Sequence, residues 1–97
     1  MRVLGIDPGT ATVGWAIVES MKGHAEAIAY GHISTKKELA LHERLQEIRD
    51  DIIEIVRQYQ PEAAALEEIF FFSNQKTVIS VAQSRGALLL TLADFGL

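Results

Sequence analysis

Asp7 and Glu67 are the residues of this 97-residue sequence best suited to chemistry. Each is an acid that closes a short apolar run: Asp7 follows residues 1–6 and opens Asp7-Pro8-Gly9-Thr10, and Glu67, with Glu68 beside it, follows residues 63–66. Side chains alternate along a strand, so Val3, Gly5 and Asp7 share one face of the first run, and Ala63, Ala65 and Glu67 share one face of the other. If the two strands are parallel neighbours, about 4.8 Å apart, the carboxylates meet at the carboxyl edge of the sheet, where open α/β sheets place their ligands. Two adjacent carboxylates repel, and the pair needs either a shared proton or a bound cation. Small Gly5, Ala63 and Ala65 leave room beneath it. Taken singly, each acid also has a purely structural reading, Asp7 as the cap of a proline–glycine turn and Glu67-Glu68 as a solvated strand end.

The elements that must position this pair are legible in the hydrophobic pattern. Residues 1–6 read as a strand ended by the proline–glycine turn, residues 13–19 as a second strand closed by Lys22-Gly23, and residues 25–34 as a third. Three strands in a meander are the simplest arrangement. From Leu41 the period changes: Leu41, Leu45, Ile48, Ile52, Ile55 and Tyr59 recur at steps of four and three, one apolar stripe on a helix. Glu43, Arg44, Glu47, Arg49, Asp51, Glu54 and Arg57 fall on its other face, and Pro61 ends it. Residues 63–66 read as a fourth strand, parallel to an earlier one through a right-handed crossover. A second helix is expected from about residue 76 to 93. It is unusually apolar, with Val78, Val81, Ala82, Leu88, Leu89 and Leu92, more than one side of a four-stranded sheet covers, and it is expected to pack against a two-fold mate. The order is βββαβα in one domain spanning 1–97. A crossover that delivers no further strand suggests a C-terminally incomplete α/β fold.

Composition narrows the chemistry. Without cysteine, disulfides and cysteine-ligated zinc or iron–sulfur sites are excluded, which leaves oxygen or imidazole ligands and favours hard cations. His24, His32 and His42 show no ligand spacing. The apolar runs fall far short of the ~20 residues of a membrane span and no signal-peptide layout is present, so a soluble cytoplasmic protein without membrane partners is expected. Nine Lys and Arg against thirteen Asp and Glu give a net charge of -4, which counts against holding nucleic acid mainly through a broad basic surface. Phe70, Phe71 and Phe72 come soon after Glu67-Glu68 at a strand exit and cannot all enter one core. An exposed aromatic there is placed to stack on bases, unless all three are buried at a subunit or domain contact. Lys76 and Arg85 are the only cations after residue 57 and are candidates to hold phosphate.

Gly5-Ile6-Asp7-Pro8-Gly9-Thr10, followed by Gly14-Trp15-Ala16 and later by Pro61-Glu62 and Ala65-Leu66-Glu67-Glu68-Ile69-Phe70, resembles the N-terminal part of the RuvC family of Holliday-junction resolvases. Residues 81–87, Val-Ala-Gln-Ser-Arg-Gly-Ala, resemble the family's next helix, so the likeness covers essentially the whole chain. It implies a ribonuclease-H-like fold, a homodimer, and cleavage of a four-way DNA junction that depends on Mg2+ or Mn2+. It also implies Asp7 and Glu67 as catalytic metal ligands, and Phe70 at the position of an aromatic that reaches into the junction. Asn74, Lys76 and Arg85 join Phe70 as DNA-binding candidates, and a branch-migration helicase complex is a further candidate partner. In the family a further strand and a final helix carry the remaining carboxylates, beyond Leu97, so cleavage by this chain alone is not expected. The alternatives are a non-catalytic dimerisation or DNA-structure-binding remnant, and a phosphate-binding domain of the actin-like and sugar-kinase type, which opens with a similar hairpin.

Overall fold

Four strands and two helices follow in the expected order, β1 (Arg2–Asp7), β2 (Thr12–Met21), β3 (His24–Ser34), α1 (Leu41–Tyr59), β4 (Ala63–Leu66) and α2 (Gln75–Asp94). They are seen in a computed structural model that describes residues 1–68 and 75–97, with backbone alone at 75 and 76. The strands form one sheet in the order β3-β2-β1-β4. β1 pairs antiparallel with β2 and parallel with β4, in a register that sets Val3 opposite Ala63 and Gly5 opposite Ala65. The meander and the parallel return of β4 are therefore both as the sequence predicts. β2 and β3 are longer than their apolar runs suggest, because cross-strand pairing continues through the polar residues as far as Met21 opposite His24.

Parity divides the sheet. Leu4 and Ile6 of β1, Val13 and Ile17 of β2 and Ile33 of β3 are buried in one core with Ile48, Ile52, Ile55 and Val56 of α1 and Leu88 and Leu92 of α2. Both helices thus cover the same sheet face. Within α1 the buried stripe is shifted from the predicted one: Val56 joins it, while Leu41 is exposed. Periodicity identifies the helix face but not how far along the helix the core extends. The helix opens with the Glu43 carboxylate accepting a hydrogen bond from the Ala40 N–H at 3.1 Å. It ends at Gln60, whose left-handed φ of 49° turns the chain into the buried Pro61.

Helix α2 buries Ser84, Leu88, Thr91 and Leu92. Leu89, part of the predicted apolar set, is exposed, and so are Ile79 and Leu90. On the helix-covered face of β2, against the margin of the core, Trp15 lies over Gly31 of β3, where an added Cβ would come within 3.1 Å of the indole, and its ring centroid stands 6.1 Å from that of Tyr59 in α1. Among the described residues, no helix is long and apolar enough to cross a membrane.

Candidate functional site at the β1–β4 edge

The face of β1 away from the helices leads to Asp7. Its strand extends one residue further than the apolar run, so the acid is itself the last residue of β1, paired with Gly14 of β2. On the other side the parallel ladder continues one step past Leu66, with the Glu67 N–H donating to the Ile6 carbonyl at 3.0 Å. The two carboxyl groups come within hydrogen-bonding reach of each other. That contact with Asp7, reinforced by its charge, holds the Glu67 carboxyl above the usual glutamate value of 4.5. Such a shift is the signature of two acids competing for one proton or one cation. Beside them lies an open hollow of about 330 Å3 lined by Gly5, Ile6, Gly14, Trp15 and Ala16 as well as by the two acids. Small residues keep this space clear; a Cβ on Gly14 would already touch that of Asp7 at 3.6 Å.

The Asp7-Pro8-Gly9-Thr10 turn is tight and is held from two sides. Its tightness requires glycine at position 9, where a Cβ would collide with the Thr12 carbonyl oxygen. Ser84 on α2 is fully buried and its hydroxyl donates to the Gly9 carbonyl at 2.6 Å. From the α1 side, Arg44 Nε donates to Thr35 Oγ1 at 2.8 Å, and that hydroxyl donates to the Thr10 carbonyl at 2.6 Å. Arg44, predicted to lie on the solvated face of α1, is thus part of the anchoring. Thr10 is buried, and its own hydroxyl finds no partner among the described residues.

Of the residues singled out from sequence, Asp7 and Glu67 are brought together. Arg85 lies beside them, its Nε donating to the Glu67 carbonyl oxygen at 3.1 Å. Phe70 and Asn74 lie outside the described residues, as does the Lys76 side chain. Sequence reasoning missed Ser84, Thr35 and Arg44. Only Ser84 left a trace, as the polar member of a stripe that continues four and eight residues on with Leu88 and Leu92. As a donor set, the pair offers hard carboxylate oxygens suited to Mg2+ or Mn2+ and free of any Lys or Arg ion pair among the described residues. It is a partial set, since among the described residues no group of three or more acidic or histidine side chains could hold a metal.

Comparison with known proteins gives a consistent result. A family model described as crossover junction endodeoxyribonuclease RuvC matches residues 3–97. The protein of that name from Fusobacterium nucleatum is 50% identical over 90 residues, 93% of this chain and 47% of the relative. The one from Syntrophomonas wolfei is 48% identical over 97 residues, all of this chain and 56% of the relative. Among solved structures, T. thermophilus RuvC in complex with a Holliday junction substrate superposes with a TM-score of 0.91 at 28% identity, covering 100% of this chain and 62% of that one. The chain therefore spans about half the length of the curated relatives it matches.

Proposed function

The chain belongs to the RuvC family of crossover junction endodeoxyribonucleases, with the ribonuclease-H-like fold of that family, and from that premise we propose that it carries part of a structure-specific nuclease site. The reaction is resolution of Holliday junctions by metal-dependent phosphodiester hydrolysis, in DNA recombination and repair. One observation carries this reading: two carboxylates, sixty residues apart in sequence, meet at the ends of adjacent parallel strands over a hollow kept open by small residues.

Asp7 and Glu67 would hold Mg2+ or Mn2+. An ion held there would supply Lewis acidity, for activation of a water nucleophile and for charge stabilisation at the leaving oxygen. The chain's own share is to fix two oxygen donors on a rigid sheet edge and to leave the approach open to a sugar–phosphate backbone. With a net charge of -4, recognition of the junction rests more on local contacts than on a broad basic surface. Stacking of Phe70 on unpaired bases, with Asn74 and Lys76 directed to the phosphates, supplies such contacts. Ile79, Leu89 and Leu90, exposed along α2, offer the surface for a homodimer whose two sites would cut two strands symmetrically. A branch-migration helicase complex is the partner class that would deliver a moving junction.

The test is strand nicking of a synthetic four-way junction with Mg2+ or Mn2+. It uses this chain joined to the part of the Syntrophomonas wolfei relative that it does not cover, with folding checked by circular dichroism. Symmetric cleavage that disappears on Asp7→Asn or Glu67→Gln, with junction binding retained, is the expected result. A folded, junction-binding protein that never cuts would overturn the reading.

A further inference from the structure

Ser84 and Arg85 are consecutive residues of one helix, yet they reach the two halves of the site. Ser84 Oγ donates to the carbonyl of Gly9, two residues after Asp7, and Arg85 Nε donates to the carbonyl of Glu67 itself. We propose that this pair is a clamp: α2 sets the separation of Asp7 and Glu67, and Ser84 and Arg85 are positioning residues for the cation that the two acids hold. The inference rests on the function proposed above and names residues that act through the acids rather than on the substrate.

The two acids need such a device because their own attachments are unequal. Both acids are exposed, but Asp7 ends a six-residue strand with a neighbour on each side, whereas Glu67 lies just past a four-residue strand. One ladder hydrogen bond, from the Glu67 N–H to the Ile6 carbonyl, ties it to β1. Repulsion between the carboxylates acts to splay this exit away from β1. Arg85 opposes that motion by holding the backbone of Glu67, and because it binds the carbonyl it leaves both carboxylate oxygens available to a cation. The clamp has a rigid base. Ser84, Leu88 and Leu92 lie on one stripe of a 20-residue helix and are buried, so the two hydrogen bonds refer both acids to a single body. Partners that orient metal-binding side chains in this way typically account for tenfold or more in metal affinity.

This assigns Arg85 a task different from phosphate binding, and the two are separable by titration. Mg2+ is added to the 15N-labelled chain while the amide signals of residues 7 and 67 are followed, and junction binding is measured separately in metal-free buffer. For Arg85→Gln the clamp predicts affinity for Mg2+ about tenfold weaker, an almost unchanged melting temperature and unchanged metal-free junction binding, with part of the affinity restored in Arg85→Lys. Ser84→Ala is expected to weaken Mg2+ binding as well, with a lower melting temperature because the Gly9 carbonyl loses its buried donor. Wild-type Mg2+ affinity in both Arg85→Gln and Ser84→Ala would overturn the clamp. So would an Arg85→Gln variant whose only defect is weaker junction binding, which returns Arg85 to the phosphate. If the wild-type chain itself shows no Mg2+-dependent shifts at residues 7 and 67, the metal-site reading falls and the clamp falls with it.

Discussion

Alternate residues of β1 serve opposite faces of the sheet, and the two faces are built on different rules. Leu4 and Ile6 face the helices and are almost completely buried, their size and shape chosen for packing. Gly5 and Asp7, one residue away, face the open hollow, where their cross-strand partners are Ala16 and Gly14 in place of aliphatic side chains. One strand thus carries a stability function and a site function separated only by its two-residue period. On the covered face every residue adds favourable contact. On the open face the acids work against each other until something comes between them.

The largest test of this contrast is on the covered face. Leu4→Ala should lower unfolding stability by about 2–5 kcal/mol, as truncation of a fully buried leucine does, with an unchanged dependence on urea. Variants on the open face should show no loss of that size. A Leu4→Ala protein as stable as wild type would mean that the two faces are not distinct.

A smaller effect, of opposite sign, is expected from Glu67. Its carboxyl titrates higher in the folded protein than the ordinary value of 4.5, through the hydrogen bond with Asp7 and then through the Asp7 charge. A group whose pKa is raised by folding contributes stability that is fully present below its unfolded value and is lost as pH rises through the folded one. In metal-free buffer the pair should therefore favour the fold at acid pH and cease to do so on the way to neutrality. Asp51, raised by burial and then by the charges of Glu54, Glu47 and Asp50, acts in the same direction and is common to both proteins compared. Glu67→Gln should remove the pair's part of this dependence and leave a variant slightly more stable than wild type at pH 7. Identical pH profiles for the two proteins, followed by urea denaturation without metal, would show that the carboxyls do not interact.

The sequence made the site legible for a physical reason. The two-residue period of strands and the parallel return demanded by an intervening helix bring Asp7 and Glu67 side by side if the first and fourth strands are neighbours, and the sheet order meets that condition. Helix α1 was legible through its apolar steps, though not the exposure of Leu41, since a periodic pattern carries no information about where the facing sheet ends. The anchors were hidden for another reason. Ser84 meets Gly9 across 75 residues and Arg44 reaches Thr35 from a face patterned as solvated. A hydroxyl or guanidinium bound to a distant oxygen leaves no spacing signal. The helix α2 stripe shows the same limit, with Leu88 and Leu92 inside and Leu89 outside although all three read as apolar.

The claim that Asp7 and Glu67 together hold a divalent cation is tested most directly by Mn2+ binding to the 97-residue chain, followed by electron paramagnetic resonance at pH 7. Two fixed carboxylates predict one weak site per chain, because affinity for hard cations rises with the number of oxygen ligands. That site should disappear in Asp7→Asn and in Glu67→Gln, and Mg2+ should displace the bound Mn2+. Mn2+ binding that persists undiminished in both variants, or a wild-type chain that binds none, would contradict the account.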